Sequence, residues 1–136
     1  MNKRQSPSMD EWLREAKVHE SAPNIGMYLI HNGVVRKTAK AKVREQKEDA
    51  PDVVNMLFSC DEEKLQEIIN AAYQMAGVYY IRVWLNEGEL SVGDDIMYVL
   101  IGGDIRPHVV EGLQYLVERI KKECVTEIER YDNETD

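Results

Sequence analysis

The segment IMYVLIGGDIRPHVVEGLQYLVERIKK, residues 96–122, constrains the fold most. Ile96 to Ile101 is an uninterrupted apolar run, short enough for a strand buried on both faces. From Pro107 to Lys122 the pattern changes to helical spacing, with Val110, Leu113, Val117, Ile120 and Cys124 as the predicted apolar stripe. A buried strand that runs through a tight corner into an amphipathic helix requires a sheet with that helix lying on it. Pro107 suits a first helical position, which places Arg106 on the cap side. Gly102 and Gly103 could turn backbone N–H groups toward an anion, or simply make a tight turn. His108 falls in the first helical turn, either as a solvated side chain or as a ligand contact. Lys121 sits on the border of the apolar stripe, either lying over the core edge or desolvated enough for chemistry, and Lys122 points further into water.

The rest of the chain supplies further elements. Ser8 with Glu11 forms a capping-box pattern ahead of a short helix carrying Trp12, Leu13 and Ala16. A strand is predicted from Ile25 to about Val35, with Gly33 marking a bulge or a close approach. Lys40, Lys42 and Arg44 alternate with Ala41 and Val43, as in a strand with one basic face. Val53 to Ser59 is a third strand. Asp61 opens a helix carrying Leu65, Ile68, Ile69, Ala72 and Met75, which ends by Gly77. VYYIRVWL is a fourth strand, NEGELSVGDD a turn-rich connection and IMYVLI a fifth strand. Strands and helices mix without regular alternation, which predicts an α+β fold with a mixed sheet and helices packed on it. The domain is expected over 9–131, between a flexible N-terminus at 1–8 and an acidic tail at 132–136.

The 136 residues are enough for one domain. No run approaches the length of a membrane span, and the N-terminus lacks the apolar core of a secretory signal. A net charge of −8 argues against nucleic-acid or acidic-membrane binding. Cys60 and Cys124 form no CxxC pair and read as reduced thiols of a cytoplasmic protein; a catalytic or persulfide-carrying cysteine is the alternative.

NGVVR at 32–36, after GMYLIH, resembles a segment of the large, catalytic subunit of molybdopterin synthase. NEGELSVGDD at 86–95 is similar to that family's GELxxGD connection, and Arg106, Glu111 and Lys121 then fall in step with the family without a gap. The resemblance implies an α/β-hammerhead type of α+β fold and a homodimer. It also implies a ubiquitin-like small-subunit partner whose C-terminal thiocarboxylate gives sulfur to a pyranopterin phosphate. No cofactor or metal is implied. It makes Lys121 the catalytic lysine, and Arg36 and Arg106 anion-binding residues; Lys122 and His108 are further substrate-binding candidates. The chain departs from the family at Ile105, where a histidine is usual, and at Ile128, where a second lysine is usual. The family's histidine-tyrosine pair is missing from VVNMLFSC, and Leu85 and Asn86 replace a histidine-arginine pair. A relative that binds without catalysing, acting as a regulatory homodimer, is the alternative. Arg106 and Lys121 lie fifteen residues apart on one helix, about 22 Å, so one site can use both only across a subunit interface.

Overall fold

The computed structural model describes residues 5–39, 44 and 51–131. Its elements are α1 (Met9–Lys17), β1 (Met27–Val34), β2 (Val53–Cys60), α2 (Glu62–Tyr73), β3 (Val78–Leu85), β4 (Gly88–Ser91), β5 (Asp95–Gly103), α3 (Arg106–Arg119) and β6 (Val125–Tyr131). A π turn, Ile120–Cys124, joins α3 to β6. The class is α+β as expected, but the strands divide between two antiparallel sheets rather than forming one mixed sheet. Their orders are β1-β5-β3 and β4-β2-β6. No described helix is long and apolar enough to cross a membrane.

The central strand β5 faces two cores. Leu100 packs with Trp12 and Ala16 of α1, bordered by Tyr28, Tyr80, Trp84 and Tyr98. Met97, Val99 and Ile101 point the other way, into the larger core built with α2, α3 and the second sheet. Both expected caps form: the Ser8 hydroxyl accepts from the Glu11 amide and the Asp61 carboxylate from the Lys64 amide. The bulge expected at Gly33 lies between Gly33 and Val34.

Three expectations change, and a fourth falls largely outside the described residues. Ile120 and Cys124 are buried as predicted, but within α3 the fully buried positions are Val109, Gly112 and Leu116; Leu113 and Val117 are half-buried against the core, and Val110 is exposed. The cause is Gly112, whose bare Cα lets the helix settle against Ile101 and Val78. The connection 86–95 contains β4, which pairs with β2. Val125–Tyr131 is a full strand, β6, paired along β2. The basic strand face at Lys40 and Lys42 lies outside the described residues, and Arg44 has helical backbone and is exposed.

The Gly-Gly corner proves to be a packing device. Gly102 and Gly103 belong to the buried middle strand and pair with β1 and β3, so their backbone is not turned out to form an anion nest. A Cβ on Gly103 would stand 2.4 Å from the carbonyl oxygen of Gly77. Ile105 takes the N-cap position, making Arg106 rather than Pro107 the first helical residue. Isoleucine has no capping oxygen, and no side chain caps this helix; the Asp104 carboxylate instead ties the residue before the helix to its first turn. It accepts from the Ile105 amide at 2.6 Å and from His108 Nδ1 at 2.7 Å.

Candidate functional site

The site is built where the end of α3 meets β6. Leu113 and Val117 are half-buried along one flank of α3, and the same flank leads one turn on to Lys121. The π turn carries both lysines: Ile120 and Cys124 are buried at its ends, while Lys121 and Lys122 face out. Here they line a cavity of about 630 Å3 with Arg44, Val117, Glu118 and Glu127.

Strand alternation decides what β6 contributes. Glu127 pairs with Phe58 and Glu129 with Met56, so both carboxylates share the inner face of the second sheet with two core residues. The Glu127 side chain is only 6 % exposed, and its Oε2 lies 4.0 Å from Lys121 Nζ. A smaller cleft beside them brings Arg36, Arg44 and Lys121 together with Glu127 and Glu129. Arg36 follows the bulge of β1, and its Nε donates to the Thr38 carbonyl at 2.7 Å, which holds the guanidinium close to its own loop. The arrangement is a cationic wall with carboxylates behind it. It suits an anionic ligand whose charge the lysines and arginines meet first.

Of the five residues picked from the sequence, Arg36, Lys121 and Lys122 come together in this region. Arg106 and His108 do not. They sit at the opposite end of α3, where Arg106 is exposed and His108 is held by Asp104. Hydrogen bonding from His108 first, and from the Ile105 amide, holds the Asp104 carboxyl below its ordinary value despite some desolvation.

Three contributors were not picked out. Glu127 and Glu129 lie in VTEIERY, whose period-two alternation is the available signal for a strand with both carboxylates on one face. His31 was read only as a strand residue. It lines a second cavity of about 480 Å3 with Leu113, Gln114, Val117 and Glu118. Burial first, and the Lys121 charge second, lower its pKa and favour the neutral imidazole.

Position 128 lies elsewhere. Ile128 is 53 % exposed on the outer face of β6, opposite Leu57, and Glu127 rather than residue 128 faces Lys121. The thiols are poor nucleophiles. Burial first, then Glu87 and Glu62, push Cys60 up to about 12, and burial also raises Cys124. Cys60, Glu62 and Glu87 hold potential metal-ligand atoms within 4.8 Å of one another, but this trio shares no residue with either cavity wall.

Against this geometry, the family model described as MoaE protein matches residues 4–123. Comparison with curated proteins returns no match. Among solved structures the fold is similar to the molybdopterin synthase of Staphylococcus aureus, at 18 % identity over 95 % of this chain and 89 % of that one, TM-score 0.71. It is also similar to the MoaE protein of Burkholderia ambifaria, at 17 % identity over 97 % and 88 %, TM-score 0.69. A third likeness is to the complex of subunits 1 and 2 of molybdopterin-converting factor from Helicobacter pylori, at 19 % identity over 95 % and 82 %, TM-score 0.63.

Proposed function

The chain belongs to the MoaE protein family, and from that premise we propose that it acts as the large, catalytic subunit of a molybdopterin synthase. In this reading a ubiquitin-like small subunit presents a C-terminal thiocarboxylate, and its sulfur passes to a pyranopterin phosphate. The observation that carries the reading is the cavity at the end of α3, where Lys121 and Lys122 face Arg44 and the adjoining cleft adds Arg36. Both reactants are anionic, and both need their charge met in a partly desolvated place. Lys121, set against Glu127, is positioned to polarise the acyl oxygen of the thiocarboxylate as sulfur leaves. Lys122 and Arg36 bind phosphate. The Helicobacter pylori complex of two subunits supports a small-subunit partner for this chain. Arg106 and His108, a helix length away, fit the reading as anion-binding residues for a neighbouring site in a homodimer.

A second reading, binding without catalysis, is favoured by one observation. The two positions where the resemblance expects a histidine and a second lysine carry isoleucines, Ile105 and Ile128, each 53 % exposed. The test is dithiolene formation from pyranopterin phosphate and thiocarboxylated small subunit, comparing the natural chain with Lys121→Ala. We expect turnover in the first and a loss of at least about 10²-fold in the second. Equal turnover removes Lys121 from the chemistry. Small-subunit binding with no turnover selects the second reading.

A further inference from the structure

The cavity beside His31 adjoins the Lys121 cavity, since Val117 and Glu118 line both. His31 reaches it by strand alternation. It shares a face of β1 with Met27 and Leu29, which pack into the larger core under α3, while Tyr28 and Ile30 turn toward α1. Among the described residues no hydrogen bond engages its ring. A half-buried imidazole with no hydrogen-bond partner among the described residues, lining a cavity next to the lysine-lined one and feeling the Lys121 charge, is placed to act on something bound there.

Resting on the function proposed above, we propose that His31 is an acid–base residue of this site, taking the proton from the water that frees the small subunit from the transferred sulfur. Once the thiocarboxylate sulfur has bonded to a carbon of the pyranopterin, it also remains bonded to the terminal acyl carbon, as a thioester. Water adds to that acyl carbon and gives one proton to His31. The acyl C–S bond breaks, its electron pair stays on sulfur, and the imidazolium returns its proton to that thiolate. The small subunit leaves as a carboxylic acid, which loses its proton to solvent. Neither oxidant nor reductant is needed.

The surroundings suit a base. The charged groups facing the ring are Lys121 from the π turn and Glu118 from α3, whereas β5 sets Val99 opposite it. Burial and the Lys121 ammonium lower its pKa, so the neutral, proton-accepting form prevails at neutral pH.

The experiment uses the synthase assembled from this chain and a thiocarboxylated small subunit, with pyranopterin phosphate added in a rapid-quench series. The mass of the small subunit reports the covalent adduct. His31→Gln keeps polarity and His31→Phe keeps the ring shape; thermal melting of each checks folding. We expect both variants to form the adduct at the natural rate and lose it about 10²-fold more slowly. The adduct should be cleaved by hydroxylamine, as a thioester is. Adduct decay in the natural protein should slow as pH falls below the ordinary histidine range, and this limb should vanish in the variants. Decay at the natural rate in either folded variant overturns the proposal, as does failure of the variants to form the adduct at all. If the natural protein itself yields neither adduct nor product, the synthase reading fails and takes this proposal with it; that failure is visible before any variant is made.

Discussion

Asp104 is a residue whose role the sequence hides: it lies outside α3, yet its carboxylate holds both the Ile105 amide and the His108 ring at the start of that helix. Its carboxyl is held below its ordinary value, chiefly by His108. Stability from this group is therefore present above the unfolded value and is lost as pH falls through the folded one. We expect Asp104→Asn to remove that acid-side loss, seen as a flatter dependence of the urea midpoint on pH below about 4. Cys60 gives the opposite sign. Its thiol is raised from 9.0 to about 12, mainly by burial, so its contribution is full below about 9 and is lost as pH rises toward 12. Cys60→Ser should flatten the alkaline side of the same curve. At this scale the sequence could nominate Lys121 and Arg36 through the family resemblance, and Lys122 beside them. It could not nominate His31, since no local pattern tells which histidine lines a cavity and which, like His19 beside Ser21 in the bend after α1, meets a hydroxyl at the surface.

Elements were more legible than residues because their signals are local. The caps at Ser8 and Asp61, the bulge at Gly33 and the span of β3 were all readable from side-chain type and spacing. The stripe was legible at Ile120 and Cys124, but the centre of the buried face of α3 was not, because a glycine scores as no hydrophobe although Gly112 lets the helix approach Ile101. Strand β6 was missed because its charged residues masked its alternation; Glu127 and Glu129 are on the inner face, next to cations that sequence order keeps far away. Two substitutions test these assignments. Gly103→Ala would press a methyl onto the Gly77 carbonyl, so a loss of about 1–3 kcal/mol in urea unfolding is expected. Ile128→Lys places its charge on the exposed outer face. It should alter stability by no more than about 0.5 kcal/mol and leave dithiolene turnover unchanged.

Taken whole, the molecule is acidic, with a net charge of −8, yet Lys121, Lys122 and Arg44 line one cavity and Arg36 joins them in the adjoining cleft. Such a patch attracts anions over the repulsion of the rest of the surface, and salt weakens that attraction. The apparent KM for the pyranopterin phosphate should therefore rise with ionic strength while kcat changes little; a KM indifferent to salt would remove the patch from substrate capture. The π turn at 120–124 has a further consequence, one of parity. A strand has two sides, and a shift of one residue exchanges them. Every residue of β6, Val125–Tyr131, keeps its side only because of the number of residues spent in that turn. Delete Lys122, and β6 paired in the same place would turn Ile128 inward and set Glu127 and Glu129 outside. A change of one in the count, with every residue of β6 kept, exchanges a carboxylate-backed lysine for an apolar-backed one. In this fold, chain length within one short turn specifies the site as firmly as residue identity does.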